Sequence, residues 1–209
     1  MRTITDIYAE YKIPKNLQLH QLRVAAVAKI ICDNLTVPVD TEDVIRAALL
    51  HDMGNIIKFD LGVFPESLEP EGRDYWEGVK KEYIETYGTN EHEASIQIAR
   101  VLTGNERIVQ IVETVDFGKN DRHTVDDVGI KIAGYSDTRV CPYGVASLLE
   151  REEDGARRYS GDGAEMRAVF YSSLRTIEAQ LQKNSRIDLK AIDDALVAPV
   201  IEELKTWQV

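Results

Sequence analysis

The chain has 209 residues, 44% hydrophobic and 29% charged, with a formal net charge of −11. That length allows one domain burying roughly 70% of its unfolded surface, and an acidic balance without a basic stripe excludes broad binding to nucleic acid or anionic membranes. An anionic small substrate stays compatible with it, because a local cation can reverse the field in one cleft.

The predicted elements are helical throughout. Met1 to Lys15 lacks the basic start and apolar run of a secretion signal. Lys15 or Asn16 opens a helix that runs through His20 to about Leu35 and stops before Pro38. His20 heads its apolar row Val24, Val27, Ile31, which aims the imidazole at the interior. Asp40 or Thr41 caps the next helix, whose first turn carries Glu42 and Asp43 and whose end lies near Gly54. Its apolar rows Val44–Ala48 and Ile45–Leu49 continue into His51 and Asp52. Burying an imidazole and a carboxylate side by side is costly unless something pairs with them, and a cation is the commonest partner.

Gly62, Pro65, Pro70 and Gly72 break the segment from Phe59 to Asp74. Tyr75-Trp76, just after it, reads either as a cleft wall or as a packed helix start. Further helices are expected at about 75–87, 91–102, 105–116, 125–139, 143–158, 164–183 and 188–206, bounded by Thr89/Asn90, Gly104, Pro142 and Ser185. His92 heads Ile96 and Ala99 on a buried face, and Asp137 closes a row from Ile130 through Ala133. Alternation long enough for a strand is missing, and so is any stretch near the roughly 18 apolar residues of a membrane span. Cys32 and Cys141 sit beside apolar rows and read as reduced thiols of a cytoplasmic protein. The fold class is all-α, in a single domain over 1–209.

His20 with Arg23-Val24-Ala25, then Leu49-Leu50-His51-Asp52-Met53-Gly54, then Ser136-Asp137, resembles the HD-domain superfamily of metal-dependent phosphohydrolases. The resemblance covers about residues 16–140 and makes 141–209 a C-terminal helical extension. It implies a helical bundle, a divalent metal held by His20, His51, Asp52 and Asp137, and hydrolysis of phosphate mono- or diesters, often of nucleotides. Relatives with two metals carry extra histidines between the doublet and the last aspartate, which makes His92 and His123 candidates for a second site. Many members have Lys or Glu where this chain has Asn55, and that departure touches the catalytic details.

Two imidazoles and two carboxylates suit Mn, Fe, Co, Ni or Zn better than Mg, which an all-oxygen cage would favour. Asp52 is the candidate catalytic residue, with one oxygen for the metal and the other to hold or deprotonate the attacking water. Arg23, Lys58 and Arg139 are the candidate cations for substrate phosphate. Arg151, Arg157 and Arg158 with Tyr159 form a basic island that reads either as salt-bridging with Glu150, Glu152, Glu153 and Asp154 or as phosphate binding. Glu91 and Glu93 read as a solvated first turn, with proton donation as the alternative. The expected partner is a small phosphorylated substrate, with no membrane, and a homo-oligomer is compatible with the composition. The alternative function is a metal- or nucleotide-binding regulatory module without useful turnover, which Asn55 favours. A third reading, a helical interaction protein with structural histidines, is disfavoured by the buried register of the ligands.

Overall fold

In the computed structural model, which describes residues 2–63, 68–115, 121–158 and 164–209, the apolar rows gather into ten α-helices and one small hairpin among the described residues. In chain order these are α1 (Ile4–Glu10), α2 (Lys15–Asn34), α3 (Thr41–Leu50), α4 (Arg73–Tyr87), α5 (Glu91–Thr103), α6 (Glu106–Thr114) and α7 (Val128–Thr138). Then follow β1 (Val140–Cys141), β2 (Gly144–Val145), α8 (Leu148–Arg158), α9 (Ala164–Gln182) and α10 (Asp194–Leu204). Short 3-10 turns occupy Asn55–Lys58, Arg122–Thr124 and Leu189–Ala191. The all-α fold expected from the sequence is present. Pro65, counted among the turn residues after Phe59, lies outside the described residues.

Local chemistry sets the boundaries. Asp40 caps α3 by accepting from Asp43 N–H, Asn90 caps α5 through Glu93 N–H, and α5 ends on Gly104 at φ 57°, where a side chain would be strained. Asp127 caps α7 through Ile130 N–H, so this helix begins three residues later than the pattern suggested. Arg107 grips the same carboxylate, Nη1 to Oδ2 at 2.6 Å and Nη2 to Oδ1 at 2.7 Å, which holds Asp127 below the usual carboxylate range.

Two stretches differ from expectation for one reason: a carboxylate takes a backbone N–H that a helix would have used. The helix expected from 143 starts at Leu148, and β1 pairs antiparallel with β2 ahead of it. Val145 N–H donates to Asp194 Oδ1 at 3.1 Å, and a side chain on Gly144, at φ 150°, would collide with that carboxylate. Ser147 and Glu150 then form a reciprocal cap, Glu150 N–H to Ser147 Oγ at 3.2 Å and Ser147 N–H to Glu150 Oε2 at 2.7 Å. Likewise the helix expected from 188 starts at Asp194, because the Asp193 carboxylate accepts from Leu196 N–H.

One buried cluster runs from Ile4 to Leu204. At its centre α2 packs against α3, α7 and α10, and α3 packs in turn against α6 and α7. This brings the middle of α2, the end of α3 and the end of α7 to one place. The chain ends are joined as well, through Ile4 N–H to Trp207 O at 2.9 Å and Val209 N–H to Arg2 O at 3.1 Å. No described helix is long and apolar enough to cross a membrane.

Candidate metal centre

Helix α3 stops at Leu50, so the His-Asp doublet sits on the turn that leaves it rather than inside the helix. His51 keeps helical angles, φ −62° and ψ −28°, and its Nδ1 bonds Ala48 O at 2.8 Å. That bond occupies a carbonyl that Asp52 N–H would otherwise claim. The backbone then tightens, with Met53 N–H on Leu50 O at 3.3 Å and Asn55 N–H on Asp52 O at 3.0 Å.

Four side chains converge there. His20 Nε2, from α2, lies 3.4 Å from Asp52 Oδ2 and 3.2 Å from Asp137 Oδ1, on α7. His51 Nε2 lies 3.6 Å and 3.4 Å from the same two oxygens. The ligand atoms of His20, His51 and Asp52 all fall within 4.8 Å of one another, and the two imidazole rings are 5.4 Å apart. The expected burial is corrected for three of the four. The His51 side chain is 2% exposed, but His20, Asp52 and Asp137 keep 24%, 21% and 35%. Helical spacing predicts the direction in which a side chain points; whether neighbours cover it depends on the packing, and here the three helices leave a mouth.

The donor set fits a cation on an observation independent of motif. His51 Nδ1 gives its proton to a carbonyl, which leaves Nε2 as a lone pair. That Nε2 is buried without a hydrogen-bond partner and faces two carboxylates. A lone pair against carboxylate oxygens is repulsive unless a positive centre stands between them. Among the described residues, no other group of three or more His, Cys, Asp or Glu side chains is so arranged.

A proton can take that place too. Burial opposes a charged His51, but Asp52 and Asp137 outweigh it and raise its pKa from 6.5 to about 9. Burial likewise pushes Asp137 up, and the His20 and His51 imidazoles that face it at 3.2 and 3.4 Å overcome this to hold it well below the usual carboxylate range. Because the folded His51 value is raised, this pairing stabilises the metal-free fold fully below pH 6.5 and is lost as pH rises through about 9. Metal uptake at pH 7 should therefore release about one proton per ion. Calorimetric titration with Mn²⁺ in buffers of different ionisation enthalpy measures this, and an identical apparent enthalpy in all buffers would contradict it.

The other sequence candidates are held elsewhere. His92 Nε2 bonds Glu113 O at 3.0 Å, linking α5 to the end of α6. His123 Nδ1 bonds Ser173 Oγ at 2.8 Å, and its carbonyl accepts from Gln180 Nε2 at 3.2 Å, both on α9. Neither imidazole belongs to the group of ligand atoms formed by His20, His51 and Asp52. Arg139 is also corrected. It is 1% exposed, and its guanidinium donates to the carbonyls of Ala146, Leu189 at 2.7 Å and Ile192 at 2.8 Å, and to Tyr135 Oη at 2.7 Å. A phosphate cannot reach it. Its place just past the end of α7 turns it inward, where loop carbonyls need donors.

Arg23 and Lys58 stay closer to solvent. Arg23 Nε lies 3.9 Å from Asp194 Oδ1, and Lys58 Nζ lies 3.3 Å from Glu91 Oε1. In the basic island, Arg151 pairs with Asp154 at 3.3 Å and donates to Thr138 O at 3.0 Å, one residue past Asp137. Glu152 pairs with Arg175. The side chain of Arg158 and the whole of Tyr159 lie outside the described residues. Trp76 packs inward with Nε1 on Leu68 O at 3.0 Å, while Tyr75 is exposed.

Three contributors escaped the sequence reading. Tyr8 Oη donates to Leu49 O at 2.7 Å from α1; Gln21 Oε1 accepts from Asp52 N–H at 3.3 Å; Ser95 Oγ accepts from Gly54 N–H at 2.9 Å. A signal existed for Gln21, a polar residue four from Leu17 on a row that is otherwise apolar.

Comparison with known proteins adds one finding. The family model described as HD domain matches residues 18–122, which takes in His20, His51 and Asp52 and ends short of Asp137. No curated protein and no solved structure matches the chain.

Proposed function

We propose, because this chain belongs to the HD-domain family, that it is a metal-dependent phosphohydrolase acting on a nucleotide or a related small phosphate ester. The family consists mostly of metal-dependent hydrolases, and its domains bind divalent metals. The observation that carries the reading is His51 Nε2, buried and unpartnered against Asp52 and Asp137. We assign His20, His51, Asp52 and Asp137 as the metal ligands, with Mn, Fe, Co, Ni or Zn preferred to Mg. A divalent ion held there would supply Lewis-acid polarisation and make water a stronger acid.

The residues of the chain do the rest. Asp52, with two carboxylate oxygens at the mouth, can keep one on the metal side and take a proton from attacking water with the other. His51 Nδ1, fixed on Ala48 O, prevents the ring from turning. Arg23 and Lys58 balance the phosphate charge. Asp194, the partner of Arg23, is 56% exposed, and Lys58 is itself 53% exposed beside a half-buried Glu91, so exchanging these pairings for a phosphate costs little. The free thiols of Cys32 and Cys141 suit a reducing compartment, and we assign the reaction to the cytoplasm.

The test is a hydrolysis screen of nucleotides and generic mono- and diesters with Mn²⁺, Co²⁺, Ni²⁺ and Mg²⁺. Changing Arg23 or Lys58 to Met should lower kcat/KM by about one to two orders of magnitude, roughly 1.4–2.7 kcal/mol, with metal content unaltered. Full activity in both variants would move phosphate binding to α8, with Arg151 next in line. A second reading, a regulatory module that binds metal and nucleotide without turnover, draws on Asn55. This residue is buried beside the doublet and cannot supply the charge that Lys or Glu provides in many relatives. Metal-loaded protein that binds nucleotides yet cleaves none would select it.

A further inference from the structure

The turn that carries Asp52 has left α3, so its amides need acceptors that no helix supplies. Asp52 N–H finds Gln21 Oε1 at 3.3 Å, and Gly54 N–H finds Ser95 Oγ at 2.9 Å. The two acceptors approach from different helices, α2 and α5. Both are 0% exposed.

Neither side chain is explained by filling space. Gln21 buries its Nε2 without a partner, a cost that a methionine of similar length would avoid. What the glutamine adds is the carbonyl oxygen toward Asp52. Ser95 gives its single proton to Glu91 O at 3.0 Å, which turns its lone pairs to Gly54 N–H. The first turn of α5 lies directly on Gly54. A Cβ there would sit 2.6 Å from Ala94 Cβ and would collide with Glu91 O. The turn is therefore gripped from two helices, at the Asp52 amide and at the Gly54 amide two residues on.

We propose that Gln21 and Ser95 are positioning residues for Asp52, setting the backbone of the turn so that its carboxylate meets His20 and His51. This rests on the assignment of Asp52 as a metal ligand. Residues that orient a ligand typically change metal affinity by about 10–100-fold when removed. Since both act on one short turn, their effects should be coupled rather than independent.

The test compares Mn²⁺ dissociation constants of the parent chain, Gln21→Met, Ser95→Ala and the double variant, alongside thermal midpoints of the metal-free proteins. Each single variant is expected to bind Mn²⁺ about tenfold more weakly or worse. The double variant should fall short of the product of the two effects. Lower thermal midpoints with parent-like Mn²⁺ affinity would overturn the proposal and leave both residues a packing role only. A parent chain that binds no transition metal would overturn the ligand assignment together with the proposal, so the two failures are distinguishable. Amide hydrogen exchange in the parent chain gives a reading independent of whether the variants fold: Asp52 and Gly54 N–H should be protected, and exchange at the unfolded rate would overturn the proposal.

Discussion

Asp52→Ala is expected to empty the metal centre and reduce phosphate-ester hydrolysis by about a thousandfold or more, roughly 4 kcal/mol of barrier. The substitution removes a carboxylate that lies 3.4 Å from His20 Nε2 and 3.6 Å from His51 Nε2. It also removes the largest charge holding His51 in its raised state. Helix content should survive, because the bonds that Asp52 makes to the fold are through its backbone: N–H to Gln21 Oε1 and C=O from Asn55 N–H. Alanine keeps both. Metal analysis, circular dichroism and an ester-hydrolysis assay on one preparation check this together. Metal-free protein with undiminished hydrolysis would remove the basis for a metal-dependent reaction.

Arg139→Met should cause the largest loss of stability, about 4 kcal/mol, because it leaves buried acceptors without donors. Three carbonyls, from Ala146, Leu189 and Ile192, converge on the guanidinium. Its positive charge is balanced at one remove. Tyr135 Oη accepts from Arg139 Nη1 at 2.7 Å and donates to Glu178 Oε2 at 2.9 Å. Burial raises the Tyr135 phenol well above its ordinary range, outweighing Arg139, so the hydroxyl keeps the proton that it donates. The Arg139 guanidinium carbon also lies 5.5 Å from the centre of the Tyr135 ring. This network ties the end of α7 to α9 and to the segment before α10, two residues from Asp137. For a chain of this size the expected shift in thermal midpoint is on the order of 10 °C. A shift of only a degree or two would mean that water replaces the guanidinium at little cost.

Much of the candidate site was legible in the sequence because it rests on local rules. The row from His20 through Val24, Val27 and Ile31 needs only the helical repeat, and α2 follows it. Caps act on amides three residues away, so their positions could be read to within a residue, Asp40 or Thr41 for α3 and Thr89 or Asn90 for α5, and the structure uses Asp40 and Asn90. The doublet after Leu50 marked its own place, since imidazole and carboxylate at the end of two apolar rows need a partner. The resemblance joined Asp137 to the set, and the contacts at 3.2 and 3.4 Å bring it to both imidazoles.

The failures share a physical cause as well. The Arg139 guanidinium takes its partners from other elements, the carbonyls of Leu189 and Ile192. No spacing within a helix encodes which carbonyl will be waiting there. The hairpin at 140–145 and the late start of α10 depend on where Asp193 and Asp194 send their carboxylates, one of them about fifty residues away in the chain. The helices, their caps and the identity of the polar quartet were thus determined by the sequence itself, because short-range hydrogen bonding and apolar periodicity act within a few residues. The openness of the mouth, the inward turn of Arg139 and the grip of Gln21 and Ser95 on the Asp52 turn were decided only when α2, α3, α5 and α7 packed together, because burial and long-range hydrogen bonds exist only between elements.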